Sequence, residues 1–296
     1  MSNPLVSIII PTYNRSHLLQ HAVNSALAQT LANFEVIVID DASSEPIDLP
    51  RHPQLRIVKL PENRGGAAAR NIGAKEAQGQ WITYLDDDDE LLPNIVQVSL
   101  EALAQTTLPK PVAVLSGLEV VGEEGHVKQR RIPPTLPRGS HYCLEEIKRE
   151  RSFFCKQTMV VERELLLGIG GFDESFTSRI HTELFLRLNP ACSILGLPTV
   201  TYRLFEHSGE RVSSNPLLRQ VNFNRLVAKH KSLFLAHPKM FANFIYEHAL
   251  MSYKLGQIGA AFKSVGWAMG VEPLHTLARV ASPFKRTVLK IAFKNY

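Results

Sequence analysis

Four consecutive carboxylates, Asp86–Asp89, stand directly after the apolar run 81–85. Like charges this close repel one another, so at least two of the four should resist ionising together. On extended backbone the side chains of Asp86 and Asp88 point to the same side of the chain. Paired carboxylates at a strand end suit Mg²⁺ or Mn²⁺, which prefer a few protein carboxylates together with phosphate oxygens. We therefore predict a divalent-metal site here, with a solvated acidic turn as the alternative.

The segments around this cluster alternate between strand and helix patterns over the first hundred residues. Short apolar, β-branched runs predict strands at 5–10, 34–39, 55–60 and 81–85. Helical spacing of apolar residues and alanine-rich composition predict helices from Leu18 onward, at 67–77 and at 94–104. This alternation is typical of parallel βαβ units in a sheet covered by helices on both faces.

A polar motif follows each of these predicted strands. The motifs are PTYN, DDAS, NRGG and DDDD, in that order along the chain. Ligands of open α/β sheets bind in the crevice outside the carboxyl ends of the strands. Because all four motifs lie at such ends, we expect them to form one site.

The remainder of the chain is less regular. Three further strands are predicted, at Val112–Ser116 and in the segments FFCKQTMVV and TVTYRLF. The segment HTELFLRL predicts a helix, and the basic residues 128–131 predict a loop. From about Asn215 onward the sequence predicts helices.

The composition is that of a globular protein, with 45% hydrophobic and 21% charged residues in 296. The three cysteines are widely spaced and fit neither a metal motif nor a disulfide framework, which favours a reducing, cytoplasmic location. The N-terminal sequence lacks the features of a signal peptide, and we expect none. No run of about 18 apolar residues occurs, so we expect no segment that spans a membrane.

Charge is distributed unevenly along the chain. Residues 1–214 carry 21 Lys and Arg against 26 Asp and Glu, whereas residues 215–296 carry 12 against 2. A basic extension on a mildly acidic body favours contact with an anionic surface. Residues 284–294 could form a helix that lies on an anionic membrane, which would give the protein a peripheral membrane location. The alternative is a terminal helix that packs on the domain.

Several stretches resemble the family 2 glycosyltransferases. They are VSIIIPTYNR, EVIVIDDAS, residues 63–93, and GGFDESF followed by ELFLRL. The resemblance implies an α/β fold of GT-A type over 1–214, with a Rossmann-like, mostly parallel sheet flanked by helices. A helical extension would occupy 215–296. The resemblance also implies an inverting transferase that uses a nucleotide-diphospho sugar, such as a UDP-sugar, and Mn²⁺ or Mg²⁺. The acceptor would be a saccharide or a lipid-linked hydroxyl, and no nucleic acid is expected as a partner.

The resemblance implies two groups of ligand-binding residues in this chain. Contacts to the nucleotide sugar are implied for Thr12, Tyr13, Asn14, Asp40, Asp41, Arg64, Arg70 and Asp87. Contacts to the metal are implied for Asp86, Asp88 and His207. Plainer interpretations are that Asp40 and Asp41 cap a turn, Arg64 is a turn residue and His207 lies on the surface. Arg70 and its neighbour Asn71 could serve packing instead of donor contact.

The sequence departs from the family pattern at the catalytic base. The family usually places Glu-Asp shortly after GGFDE, and this chain has Ile180-His181 there, with Glu183 two residues further on. A neutral imidazole can act as a base near pH 7, so His181 is one candidate. If His181 is the base, the rate of sugar transfer should fall as the pH drops through about 6–7. Glu183 is the second candidate for the base.

If neither His181 nor Glu183 acts as the base, the chain would be a nucleotide-sugar binding module. A nucleotidyltransferase-like enzyme is a further alternative, although PTYNRSHLLQ lacks the glycines of a phosphate-binding loop.

Overall fold

The computed structural model describes residues 4–206 and 215–281. The chain divides into two compact units, one formed by Met1–Tyr142 with Ile147–Gly209, the other by Cys143–Glu146 with Glu210–Tyr296. The first unit contains the β-sheet, and the second contains the C-terminal helices.

The strands and helices of the first unit alternate at its N-terminal end. Its strands are β1 (Val6–Thr12), β2 (Phe34–Asp40), β3 (Leu55–Lys59), β4 (Trp81–Tyr84), β5 (Glu90–Leu91), β6 (Val112–Val121), β7 (Val127–Arg131), β8 (Val160–Glu162) and β9 (Ser193–Phe205). Its helices are α1 (Ser16–Leu27), α2 (Gly66–Glu76), α3 (Ile95–Gln105), α4 (Arg163–Gly168) and α5 (Ile180–Ala191). A 3₁₀ turn lies at Lys156–Thr158.

The strands form one mixed sheet in the order β3-β2-β1-β4-β8-β6-β9-β5, with β7 paired to β6. The pairs β3–β2, β2–β1, β1–β4 and β6–β9 are parallel, and the pairs β4–β8, β8–β6, β9–β5 and β6–β7 are antiparallel. The chain runs outward from β1 through β2 to β3, then returns with β4 to the other side of β1. Because the strand order reverses there, a crevice for ligands is expected at the carboxyl ends of β1 and β4.

The apolar character of β1 follows from its central position. Ile8 and Ile10 pack in a cluster with Leu19 of α1 on one face of the sheet. On the other face α2 approaches closely, because a Cβ atom at Gly73 would lie 2.4 Å from the side chain of Ile9. A strand covered on both faces is apolar at nearly every position, which explains the run SIII.

The irregular middle region differs from its predicted structure in three places. β6 continues to Val121, five residues past its predicted end, and all ten of its residues are buried. Residues 127–131 form strand β7 instead of a loop, because they pair with the second half of β6. FFCKQTMVV contributes only the start of β8, and its centre forms the 3₁₀ turn. These strands depend on pairing partners distant in sequence, which local periodicity does not reveal.

The second unit is helical, as the sequence predicted. Its helices are α6 (Pro216–Lys229), α7 (Lys231–Ala236), α8 (Pro238–Lys254) and α9 (Ile258–Val271), followed by a helical segment at 273–281. Phe223 stacks on His248 at 3.8 Å between ring centroids, and Trp267 packs edge-on against Phe223 and Phe241. Among the described ranges 4–206 and 215–281, none of the helices has both the length and the apolar character needed to cross a bilayer.

Candidate active site

The carboxylate cluster meets the PTYNR segment where β1 and β4 end. The hydroxyl of Thr12, the last residue of β1, donates a 2.7 Å hydrogen bond to Oδ2 of Asp87. Arg15 donates from Nη1 to Asp87 at 3.2 Å and to Asp88 at 2.9 Å. Burial raises the pKa of Asp87, although the hydrogen bond from Thr12 and the charge of Arg15 oppose that effect. In this structure Asp87 therefore links the end of β1 to the carboxylate cluster.

Three carboxylates of the cluster are close enough to share one cation. Oxygen atoms of Asp86, Asp88 and Asp89 all lie within 4.8 Å of one another. Asp89 is buried, accepts hydrogen bonds from the Tyr202 hydroxyl at 2.8 Å and the Phe205 N–H at 3.0 Å, and has a pKa raised well above its ordinary value by burial and by Asp86 and Asp88. The side chains of Asp86 and Asp88 are 32% and 12% exposed to solvent. Carboxylate oxygens of this kind fit Mg²⁺ or Mn²⁺, with Asp86 and Asp88 the accessible pair.

Arg70 of α2 is the buried cation next to this cluster. Its Nη2 donates to Asp86, and its Nη1 donates to the carbonyl oxygen of Gly66 at 2.8 Å. Burial favours the neutral form of Asp86, but the charge and hydrogen bond of Arg70, together with the charges of His181 and Arg15, outweigh it and hold the pKa of Asp86 below its ordinary value. The guanidinium also lies 6.0 Å from the ring centroid of Phe172. Arg70 therefore keeps Asp86 ionised, and it joins the cluster to the GGFDE segment.

Asn71, the neighbour of Arg70, fastens α2 to the same segment. Its Nδ2 donates to the carbonyl oxygen of Phe172 at 2.9 Å, and its Oδ1 accepts from the Phe172 N–H at 2.8 Å. Both polar atoms of this buried side chain are therefore used within the protein. This arrangement favours a packing role for Asn71 over donor contact.

Asp40 and Asp41, at the carboxyl end of β2, both cap backbone N–H groups. Oδ1 of Asp40 accepts from the N–H of Ser43 at 2.8 Å. The two oxygens of Asp41 accept from the N–H groups of Arg64 and Gly65, each at 2.8 Å. Asp41 therefore holds the turn that precedes α2, where Gly65 has a φ of +84°. The turn-capping interpretation applies to both residues, and the second oxygen of Asp40, Oδ2, lies 3.8 Å from Nζ of Lys59.

The other predicted nucleotide contacts lie nearer the surface. Tyr13 is 47% exposed, and Asn14 has a left-handed φ of 52° with its Oδ1 accepting from the N–H of Ser44 at 2.9 Å. Arg64 places its Nη2 3.3 Å from a carboxylate oxygen of Glu174, and both side chains are nearly half exposed. Tyr13 and Arg64 are therefore accessible to a ligand.

His181 lies in the first turn of α5 and packs edge-on against Phe172, with 5.4 Å between ring centroids. The pKa of His181 is lowered to about 3, first by burial and then by the charge of Arg70, while Asp86 opposes them. Phe172 also lies 6.0 Å from the guanidinium of Arg70, which donates to Asp86, so these contacts connect His181 to the carboxylate cluster. The imidazole of His181 is neutral at pH 7, and a loss of rate caused by its protonation should begin well below the pH 6–7 predicted from an unperturbed histidine.

Glu183 is fully buried and ion-paired. Its Oε1 accepts from Arg187 Nε at 2.8 Å and its Oε2 from Arg187 Nη2 at 2.6 Å. Arg187 also donates to the carbonyl oxygens of Ile169 and Gly171, both at 2.7 Å. The pair therefore holds the glycine-rich turn against α5, and this placement favours His181 over Glu183 as the base.

The structure adds site residues that the sequence interpretation did not assign. Arg15 was part of the motif PTYNR but received no role, although an arginine at the sheet edge where four carboxylates are expected is a natural ion-pair partner. Asp89 belonged to the DDDD run, and Tyr202 gave no sequence signal because its partner Asp89 is more than a hundred residues away. Arg187 could have been found, because it follows Glu183 by four residues on the predicted helix, a spacing that indicates an ion pair. The predicted metal contact His207 lies outside the described residues.

Comparison with known proteins identifies relatives of this chain. The model of glycosyl transferase family 2 matches residues 7–167, which is more than half of the chain. A Haemophilus influenzae protein named as an uncharacterized glycosyltransferase is 28% identical over 191 residues, covering 62% of each chain. The putative colanic acid biosynthesis glycosyl transferase WcaA of Escherichia coli is 39% identical over 105 residues, covering 33% of this chain and 38% of WcaA. The chain spans about six-tenths of the length of the first curated relatives that it matches.

A solved structure shares the fold. The S. aureus protein TarS, residues 1–349 in complex with UDP-GlcNAc, superposes with a TM-score of 0.64 at 19% identity, covering 92% of this chain and 82% of that one. The match confirms the GT-A fold that the sequence motifs implied. It also extends over the helical C-terminal part, because it covers nearly the whole chain.

Proposed function

Because the chain belongs to glycosyl transferase family 2, we propose that it transfers a sugar from a nucleotide-diphospho sugar to an acceptor hydroxyl with inversion. The observation that carries the proposal is the juxtaposition of Asp86, Asp88 and Asp89 with Thr12 at the reversal of strand order. A catalytic transferase needs a site for the diphosphate leaving group at this edge. The TarS structure was solved with UDP-GlcNAc, which favours a UDP-sugar as donor.

Asp86 and Asp88 would hold Mn²⁺ or Mg²⁺. When bound, the cation supplies Lewis-acid stabilisation of the charge that develops on the diphosphate. Arg70 keeps Asp86 ionised for this purpose, and Asp89 holds the cluster in place through Tyr202. Arg15 offsets the charge of Asp87 and Asp88 from the other side.

The nucleoside would bind along the ends of β1 and β2. Thr12, Tyr13 and Asn14 would line the base and ribose pocket, and Tyr13 is exposed enough to stack on a base. The imide of a uracil-type base would bind Asp40, while Asp41 would act through the turn that it caps and Arg64 would reach the phosphates. Asp87 would act on the donor indirectly, by fixing Thr12.

His181 would take the proton from the acceptor hydroxyl. Its lowered pKa keeps the imidazole unprotonated at pH 7, as a base requires. The same shift makes it a weaker proton acceptor, so the general-base contribution should fall toward the low end of the usual range. Glu183 would position α5 and the turn at 169–171 through Arg187 instead of taking the proton.

The acceptor would be a saccharide or a lipid-linked saccharide, since the name of the relative WcaA refers to colanic acid biosynthesis. We place the protein in the cytoplasm, where nucleotide sugars would be available to it. The predicted membrane helix at 284–294 lies outside the described residues, and the membrane contact through this basic segment stays a prediction. The metal contact implied for His207 also stays a prediction, because His207 lies outside the described residues.

One observation favours a second function, that of a nucleotide-sugar binding module. His181 replaces the acidic base that is usual for the family, and its low pKa weakens it as a base. A module of this kind would bind the donor without turning it over. The intact carboxylate cluster argues for the enzyme, because a module that only binds nucleotide has less need of three converging carboxylates.

Incubation of the full chain with a panel of nucleotide sugars tests the proposal. Released nucleoside diphosphate would be measured with and without Mn²⁺, in the presence of saccharide acceptors, and donor binding would be measured by calorimetry. We expect metal-dependent release with one or a few donors. Donor binding without turnover under every condition would favour the binding module, and absence of both would overturn the proposal.

A further inference from the structure

Exposed apolar side chains concentrate in the second unit. Of the sixteen large hydrophobic side chains that are exposed in the described residues, twelve lie in 215–281, which is a quarter of the described chain. Single exposed hydrophobic residues are normal on protein surfaces, but a concentration of this kind marks an interaction surface.

Five of the twelve lie around the connection between α8 and α9. These helices pack against each other and are joined by three residues, 255–257, so they form an antiparallel hairpin. The exposed side chains lie within about one turn of that connection on either helix. They are Leu250 (39% exposed), Met251 (41%), Tyr253 (64%), Ile258 (55%) and Phe262 (71%). We call this group the hairpin tip.

Four consecutive backbone N–H groups at the hairpin tip are hydrogen-bonded within the protein. The N–H groups of Leu255, Gly256, Gln257 and Ile258 donate to carbonyl oxygens within the hairpin, at 2.9–3.0 Å. Buried small residues, among them Ala249 and Ser252, let the two helices approach closely. Because unpaired backbone groups are costly in an apolar medium, a loop with its donors paired is suited to enter one.

The charge around the hairpin tip has one sign. Lys254 ends α8 and Lys263 lies next to Phe262, and both side chains are exposed. Among the described residues neither lysine forms an ion pair, and residues 248–271 contain no Asp or Glu. The nearest acid toward the N-terminus, Glu247, is paired with Arg279.

We propose that the hairpin tip docks the protein on an anionic lipid surface. The apolar side chains would enter the interface between head groups and acyl chains, and Lys254 and Lys263 would contact lipid phosphates. A second copy of the chain fits this surface less well, because a two-fold contact would bring the same unpaired lysines of both copies together. The proposal is separate from sugar transfer and stands or falls without it.

Vesicle cosedimentation of the full chain tests this surface. Wild-type protein is mixed with vesicles of phosphatidylcholine containing about a third phosphatidylglycerol, and with vesicles of phosphatidylcholine alone. The test variant is Ile258→Ser with Phe262→Ser. The matched control is Ile57→Ser with Phe154→Ser, which removes the same two residue types from exposed positions of the first unit. Lys254→Glu with Lys263→Glu tests the charge.

We expect wild type and the control to bind the anionic vesicles and the serine variant to bind at least about tenfold more weakly, since two exposed apolar side chains lose their burial. The lysine variant should lose about fivefold per lysine, and neutral vesicles should bind weakly. Failure of wild type to bind, or equal binding by wild type and the serine variant, would overturn the proposal. So would a wild-type dimer that the serine variant converts to a monomer without any vesicle binding, because the surface would then belong to a second copy.

Discussion

The strand-edge site of the first unit and the hairpin tip of the second use charge in opposite ways. At the strand edge, the carboxylates are buried or half-buried and form ion pairs with arginine side chains, as Asp86 does with Arg70. At the hairpin tip, lysines are exposed, and among the described residues no acid is paired with them. The two regions also differ in their apolar residues, which are buried around β1 and exposed around Ile258.

This difference indicates what each region can recognise. Buried, fixed charges select a small ligand by geometry, because their positions are set by hydrogen bonds such as that from Thr12 to Asp87. Exposed lysines on flexible side chains attract any anionic surface, and the strength of this attraction falls as the ionic strength rises. The strand edge is therefore suited to chemistry and the hairpin tip to docking. Changes in one region should leave the other's property intact.

The largest effect is expected at the metal site. Asp88→Asn should reduce turnover about a thousandfold, because a lost metal ligand removes several kcal/mol of stabilisation from the leaving diphosphate. Nucleoside diphosphate release in Mn²⁺ measures the effect, with exposed Asp48→Asn as the control. Vesicle binding should remain that of wild type. Full activity of Asp88→Asn in metal-depleted buffer would exclude the metal site.

The second effect concerns the base. His181→Ala should lose about 10²-fold in turnover, the low end of the range for a lost general base, while donor affinity measured by calorimetry stays constant. The low end is expected because burial makes the imidazole a weak proton acceptor. Normal turnover by His181→Ala, together with an inactive but stable Glu183→Gln, would assign the proton to Glu183 instead.

The third effect separates a structural carboxylate from a catalytic one. Glu183→Gln should lower the free energy of unfolding by about 3 kcal/mol, because it leaves Arg187 without its buried partner. The matched control is Glu164→Gln, which breaks the 2.6 Å pair with Arg163 at a carboxylate that is 76% exposed and should cost less than about 1 kcal/mol. Chemical denaturation measures both. Equal stability of Glu183→Gln and wild type would show that the pair does not hold the turn.

The sequence predicted the strand-edge site better than the hairpin tip, for a physical reason. In parallel βαβ units the strand ends meet at one edge, so the order of PTYN, DDAS and DDDD was enough to bring Thr12 and Asp87 together. The helices after Asn215 were predicted as helices, but their exposed faces were not. Which face of a helix is buried depends on its packing partners, and periodicity alone did not identify Ile258 and Phe262 as exposed.

Within the site, sequence distance limited the prediction. Arg15 and Asp89 belong to motifs that were recognised, yet their roles depend on which of several adjacent polar groups turns inward. Tyr202 reaches Asp89 from a strand more than a hundred residues away. The pKa of His181 could not be predicted either, because burial in α5 and the nearby charge of Arg70 are properties of the folded chain.

The smallest expected effect is a dependence of stability on pH. The pKa of His181 is about 3 in the folded chain and about 6.5 in an unfolded one. Between these values the unfolded state binds the proton and the folded state does not, so this group lowers stability as pH falls below about 6.5. One such proton contributes a slope of about 1.4 kcal/mol per pH unit. His181→Asn should remove this dependence of the free energy of unfolding on pH between pH 6 and pH 5, measured by urea denaturation. The substitution His17→Asn, at an exposed histidine, should leave the dependence unchanged.

Equal slopes for His181→Asn and wild type would mean that His181 is protonated freely in the folded chain. The contrast between a buried, charge-coupled site and a solvated hairpin tip would then not extend to this residue.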